Sequence, residues 1–197
     1  MNALELPVFP EGYSLTTSRL TLRAPCVDDA VALWPHVTDS RITTLLAWEP
    51  HQSQDETRSV IKSLMDAQTL GMGFHWVVRH EEVVVGLVSL IDVRRRHRAW
   101  TLNRAELAYW TTPAAQGRGF ATDAALATMR FGFGTLGLHK VVVYHAVDNP
   151  HSGRVIQKLG FRLVGVEREA FSKQGRWHDL RHYEMLESEF DSLHTRA

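Results

Sequence analysis

Residues 116–122, Gln-Gly-Arg-Gly-Phe-Ala-Thr, carry the clearest chemistry in the chain. They lie between an apolar, strand-like run from Ala105 to Thr112 and a helix-like run from Ala121 to Phe133. Gly117, Gly119 and Ala121 leave little side-chain bulk over the backbone N–H groups. The helix that follows opens with N–H donors that have no intrahelical carbonyl, at the positive end of the helix dipole. A loop of this kind holds an anion, most naturally the pyrophosphate of a nucleotide cofactor.

Two common glycine loops do not fit. A P-loop needs Gly-Lys-Ser/Thr at the helix start, and here the helix starts Phe120-Ala121-Thr122. A dinucleotide fingerprint lies early in a chain, with an acidic residue about 20 positions on to hold the ribose. This loop lies past mid-chain, and the corresponding stretch is His139-Lys140-Val141.

The elements that must position the loop alternate in period. Leu15 to Ala24 reads as one strand with polar interruptions, and Asp28-Asp29 opens a helix over Ala30–Val37. A second helix starts at Ser53, an N-cap with Glu56 three residues on, and runs to about Leu70, where Gly71 and Gly73 stop it. Phe74–Arg79 and Val83–Asp92 form two strands joined by His80-Glu81-Glu82. Arg94-Arg95-Arg96-His97-Arg98 reads as a solvated connection into a strand over Leu102–Thr111. Beyond the glycine loop come a helix from Ala121 to Leu136, a strand from Lys140 to Val147 and a helix from Pro150 to Leu159. A last strand pair, Phe161–Phe171 and Trp177–Leu186, hinges at Lys173-Gln174-Gly175. Strands outnumber helices and short turns join many neighbours. The expected fold is α/β (α+β), a single mixed, mostly antiparallel sheet flanked by helices. One domain spans 1–197, with its core at about 15–188.

Composition bounds the function. Lys plus Arg total 22 and Asp plus Glu total 22, so no global field draws the chain to nucleic acid or to a membrane. Cys26 is the single cysteine, which suits a reducing compartment. The stretch Met1 to Tyr13 has no apolar core of a secretory signal, and no apolar run approaches the ~18 residues that span a bilayer. A cytoplasmic protein is expected. The histidines are numerous but scattered: His75, His80 and His97 fall in separate elements and no His-Glu-x-x-His occurs, so no metal is expected.

Several motifs converge on one family. Gln116-x-x-Gly119-x-Ala121 resembles the acetyl-coenzyme A loop of the GNAT N-acetyltransferases. Glu106-Leu107-Ala108-Tyr109-Trp110 with Pro113 is similar to the Glu-Leu-Gly-Tyr-Trp strand of the RimJ/RimL group. Asn149-Pro150-His151-Ser152 and Lys158-Leu159-Gly160-Phe161 resemble that group's Asn-x-x-Ser and Lys-Leu-Gly-Phe. Leu20-Thr21-Leu22-Arg23 matches the family's first strand, so the resemblance runs from about Leu15 to Leu186. Departures exist: Ala108 replaces the usual glycine, Asp123 a common glutamate, and Val164 a frequent glutamate. In the branch that uses a tyrosine as general acid seven residues after the asparagine, the matching residue here is Ile156.

The resemblance implies a GNAT fold with splayed central strands and acetyl-CoA as cosubstrate. Backbone groups of Trp110 and Thr111 would hold the pantetheine arm, and one of them the thioester oxygen. Gln116, Gly117, Arg118, Gly119, Phe120, Ala121 and Thr122 would hold the pyrophosphate. Asn149 would hold the cofactor arm, and Ser152 would donate to the departing sulfur. Glu106 is the favoured base, with Glu169, His145, Asp179 or a water as alternatives. Each has a plainer reading: an ion pair for Glu106, a helix cap for Ser152, a turn residue for Asn149. The implied acceptor is a primary amine, first of all a protein or peptide N-terminal α-amine. A small-molecule amine, or a silent acyl-CoA-binding module, stands as the alternative. Relatives form monomers and homodimers, and the sequence leaves both open.

Overall fold

The computed structural model describes residues 13–194. The expectation about a secretory signal falls on residues 1–12 and lies almost wholly outside them. In chain order the first elements are β1 Ser14–Thr16, β2 Thr21–Arg23, α1 Asp29–Val37, α2 Ser40–Thr43, α3 Gln54–Thr69, β3 Phe74–His80, β4 Val83–His97 and β5 Trp100–Thr111. The glycine loop leads into α4 Phe120–Arg130, followed by β6 Lys140–Ala146, α5 Pro150–Lys158, β7 Arg162–Lys173, β8 Arg176–Leu186 and α6 Glu187–His194. The strands form one sheet in the order β1-β2-β3-β4-β5-β6-β8-β7.

Several boundaries differ from expectation, each for a local reason. The first strand is two strands, because Thr17 turns the chain: its Oγ1 accepts from the N–H groups of Arg19 and Leu20 and so competes with the ladder. The α3 start is as the sequence reads, with Ser53 Oγ accepting from Glu56 N at 3.1 Å. The helix after the glycine loop ends at Arg130 and widens into a π-turn over Phe131–Thr135, with Leu136 N bonded to Phe131 O at 3.0 Å. Gly132 lies there against Leu90, where a Cβ would come within 3.0 Å of a leucine methyl. The arginine run belongs mostly to β4, which extends to His97, so the hairpin projects and leaves Trp100 71 % exposed.

The sheet separates two apolar clusters. On one face Leu107, Phe120, Ala124, Met129, Val141, Val143 and Ile156 pack beneath α4 and α5. On the other, Ala30, Leu33 and Val37 of α1 and Ile61 of α3 cover Val77 and Val84, with Trp110 against them. Side chains alternate along β5, so Leu107 and Tyr109 face α4 and α5 while Glu106 and Trp110 face the α1 side.

The centre of the sheet opens. β5 and β6 are its parallel pair, and their register covers only Arg104↔Lys140, Ala105↔Val141 and Glu106↔Val142. Beyond that point β5 stays with β4, through Gly86↔Thr111, and β6 stays with β8, through Ala146↔Leu180. The facing backbone edges of Leu107–Thr111 and Val143–Ala146 therefore diverge. Gly86 fixes the far end of β5: a Cβ there would lie 2.2 Å from the Trp110 carbonyl oxygen, a distance no side chain tolerates.

Candidate active site

A cleft of about 510 Å³ opens at this fork. The glycine loop, the end of β5, the start of α5 and the segment 41–46 line it. Gly119 is the N-cap of α4 at φ 82°, and Gly117 is at φ 75°, conformations that favour glycine. A Cβ on Gly117 would meet nothing within 4 Å, so the loop is open above its backbone, as a cradle for a bulky anion requires. The first-turn amides of Phe120, Ala121 and Thr122 have no carbonyl one turn back and border the cleft.

The loop is held from outside by Arg19, a residue that no motif singles out. Its Nε and Nη2 donate to Asp123 Oδ2 at 2.9 and 2.6 Å, and its Nη1 donates to the Arg118 carbonyl at 2.9 Å. The Arg118 side chain lies on the Phe120 ring, 4.5 Å from its centroid, with Nη2 3.4 Å from His80 Nε2, and it is not among the cleft-lining groups. The cations on the cleft wall are instead Arg41, Arg154 and Lys158. Arg154 and Lys158 are four apart on α5, a spacing that puts them on one helix face and was readable in the sequence.

The start of α5 brings the other expected residues together. Asn149 is the N-cap, its Oδ1 accepting from Ser152 N at 3.2 Å, which leaves its Nδ2 donors for a ligand. The Ser152 hydroxyl caps nothing. Its Oγ lies 3.0 Å from the Tyr109 hydroxyl, which also donates to the Ser152 carbonyl at 3.2 Å. Tyr109 belongs to the strand motif but was not expected at the site. Burial pushes its hydroxyl up to about 12, in spite of the lowering by the Ser152 bond, so it remains a neutral donor near pH 7.

Glu106 occupies the last register pair before the strands part. It faces the opposite side of the sheet from Tyr109 and bonds the hydroxyl of Tyr144 on β6. Burial raises its carboxyl above the usual carboxylate range, more than the Tyr144 bond lowers it. The alternatives are placed less well. His145 is buried against Gly153, with Nδ1 on the Ala146 carbonyl at 2.7 Å, and burial lowers its pKa. Asp179 Oδ1 accepts from Glu169 N at 2.8 Å, and the Glu169 side chain is exposed at a backbone irregularity of β7. Trp48 packs on the α1–α3 cluster and the His51 ring and is not among the cleft-lining residues.

Among the described residues no helix is long and apolar enough to cross a membrane, and no group of three or more His, Cys, Asp or Glu side chains is placed to hold a metal. The cleft fits a long, diphosphate-bearing thioester: an open glycine cradle, a diverging strand edge for the amide-rich arm, and two cations on α5.

Comparison with known proteins agrees. The profile of the Acetyltransferase (GNAT) domain matches residues 19–162. The spermidine N(1)-acetyltransferase of Vibrio cholerae is 29 % identical over 177 residues, covering 88 % of this chain and 96 % of its own. The [ribosomal protein uS5]-alanine N-acetyltransferase of Escherichia coli is 23 % identical over 172 residues, covering 84 % and 86 %. Among solved structures, the RimL ribosomal L7/L12 α-N-protein acetyltransferase in complex with coenzyme A superposes with a TM-score of 0.81 at 22 % identity, over 88 % of this chain and 98 % of that one. The chain belongs to the GNAT family of acetyl-CoA-dependent N-acetyltransferases, and it is RimJ/RimL-like.

Proposed function

We propose that the protein transfers acetyl directly from acetyl-CoA to the N-terminal α-amine of a protein or peptide, in a ternary complex. The parting of β5 and β6 at Glu106/Val142 carries this reading, because it leaves unpaired backbone on one side of the sheet and a carboxylate at the apex. Acetyl-CoA supplies an acetyl group activated as a thioester. The amides and glycines of residues 116–122 bind the diphosphate, Asn149 and the β5 edge at Trp110 and Thr111 orient the arm, and a β5 amide polarises the carbonyl. Ser152 Oγ donates a hydrogen bond to the departing sulfur, and Tyr109, whose hydroxyl donates to the Ser152 carbonyl and lies 3.0 Å from Oγ, holds the serine in place. Glu106, which does not itself line the cleft, takes the proton from the incoming ammonium through a water.

The charge on the cleft wall supports an α-amine acceptor. Its lining holds one carboxylate among the described residues, Asp148, already paired with Arg176 at 3.0 Å and His178 at 3.3 Å. A polycation needs unpaired carboxylates, and beside the two α5 cations that suit the diphosphate the wall offers Arg41 instead. The second reading is a small polyamine acceptor, favoured by the 29 % identity to the spermidine enzyme. Thiol release measured with acetyl-CoA against peptides of varied first residue, spermidine and simple amines separates them. Turnover confined to peptides is expected. Turnover confined to polyamines would establish the second reading, and CoA binding without turnover would make the protein a silent module.

The base has its own signature. A carboxylate with a raised pKa is protonated at the acid end, so activity climbs as pH rises through that pKa. Glu106→Gln is expected to lower kcat by about 10²–10⁴ and to remove this limb from the pH–rate profile. Unchanged kcat with an unchanged profile excludes Glu106 as the base.

A further inference from the structure

The segment 41–46 lines the cleft but has no part in binding the cofactor as described above. It runs from α2 into irregular chain before α3, and irregular chain leaves carbonyls without ladder or helix partners. Three carbonyls of this stretch, that of Thr43 also accepting from Leu46 N at 3.0 Å, point at one side chain. Lys173 Nζ lies 2.7 Å from Thr43 O, 2.6 Å from Leu46 O and 2.8 Å from Trp48 O, with Glu49 Oε1 at 3.6 Å. An ammonium has three donors, and here each meets one carbonyl. The residue is only 8 % exposed, far below what a lysine ordinarily shows.

Lys173 comes from a stiff support. It ends β7 at the tip of the β7–β8 hairpin, where Lys173 pairs with Arg176 across a two-residue turn. Gln174 and Gly175 have φ 52° and 74°, the signature of a tight turn matched to strand twist. Two residues beyond the turn's start, Arg176 reaches Asp148 on the cleft's α5 edge. One hairpin therefore touches both the 41–49 segment and the start of α5.

We propose that Lys173 is a positioning residue for the amine acceptor: by holding residues 43–49 it fixes the 41–46 segment, the part of the cleft wall against which the acceptor is held. This rests on the reading of the cleft as an acetyltransferase site. The residue touches no reacting atom. Its effect is to order a wall that would otherwise sample many conformations, and a small misplacement of a substrate-holding wall costs as much as about 100-fold in kcat/KM.

The test compares Lys173→Met and Lys173→Arg with the wild type, using the panel amine of highest kcat/KM. Lys173→Met is expected to raise that amine's KM about 10–100-fold, with the CoA Kd and kcat nearly unchanged. Hydrogen exchange of residues 41–49 should quicken while β-sheet amides keep their protection. Lys173→Arg, which keeps charge and donors but not their compact geometry, should fall between the two. On the unaltered protein, saturating amine with CoA should slow exchange in 41–49, which covers the case in which the methionine variant does not fold. An unchanged KM, unchanged exchange in either experiment, or a parallel loss of CoA affinity overturns the proposal. Failure of the acetyltransferase reading is distinct, since it shows as wild-type protein releasing no thiol with any amine.

Discussion

Ser152→Ala is expected to lower kcat by about 10²–10³-fold, the cost of removing one well-aimed donor where charge develops. The CoA Kd should change little, because the Asn149 cap accepts from the Ser152 backbone N–H and not from its hydroxyl. Tyr109→Phe should give a smaller loss. It leaves the serine in place but removes the hydroxyl 3.0 Å from its Oγ that helps to orient it. Steady-state rates with calorimetric CoA affinities check both. If Ser152→Ala retains wild-type kcat, the serine is merely part of the first turn of α5.

Gly119→Val is expected to weaken CoA binding about 100-fold. A branched residue at φ 82° costs roughly 1–2 kcal/mol of backbone strain. Its Cβ would also sit 3.0 Å from Arg19 Nη2, displacing the group that holds Asp123. Any relaxation rotates the first-turn amides, and a hydrogen bond to a charged ligand contributes about 1.5–3 kcal/mol. Together these amount to about 3 kcal/mol, and each 1.4 kcal/mol is a factor of 10. Isothermal titration with CoA measures it. Equal affinities for variant and wild type would show that the diphosphate is bound elsewhere.

What the sequence made legible was whatever is local. The Ser53 cap with Glu56, the glycines that punctuate the loop, and the Asn149-Pro150 helix start are each decided within a few residues, and the structure has them in place. The parting of β5 and β6 was foreseen from resemblance, but its location at Glu106/Val142 is a fact of register between distant strands. The residues that escaped notice act across the chain. Arg19 meets its partners about a hundred positions later, Lys173 meets Thr43 across 130, and Tyr109 meets Ser152 across 43. Nothing in their neighbours' spacing announces such contacts. The Arg118 side chain is placed by a local contact, the ring face of Phe120 two residues on. Short elements were missed as well. α2 has four residues, and its cap, Asp39, also binds the Arg41 side chain.

The hold of Arg19 on Asp123 and on the Arg118 carbonyl makes the turn between β1 and β2 a working part of a pocket built mostly from the chain's second half. The chain's early edge hairpin is thus a brace, and the pocket becomes competent only after both halves have met. During synthesis, a nascent chain that has already made α4 would still lack a grip on CoA until that edge closes onto it.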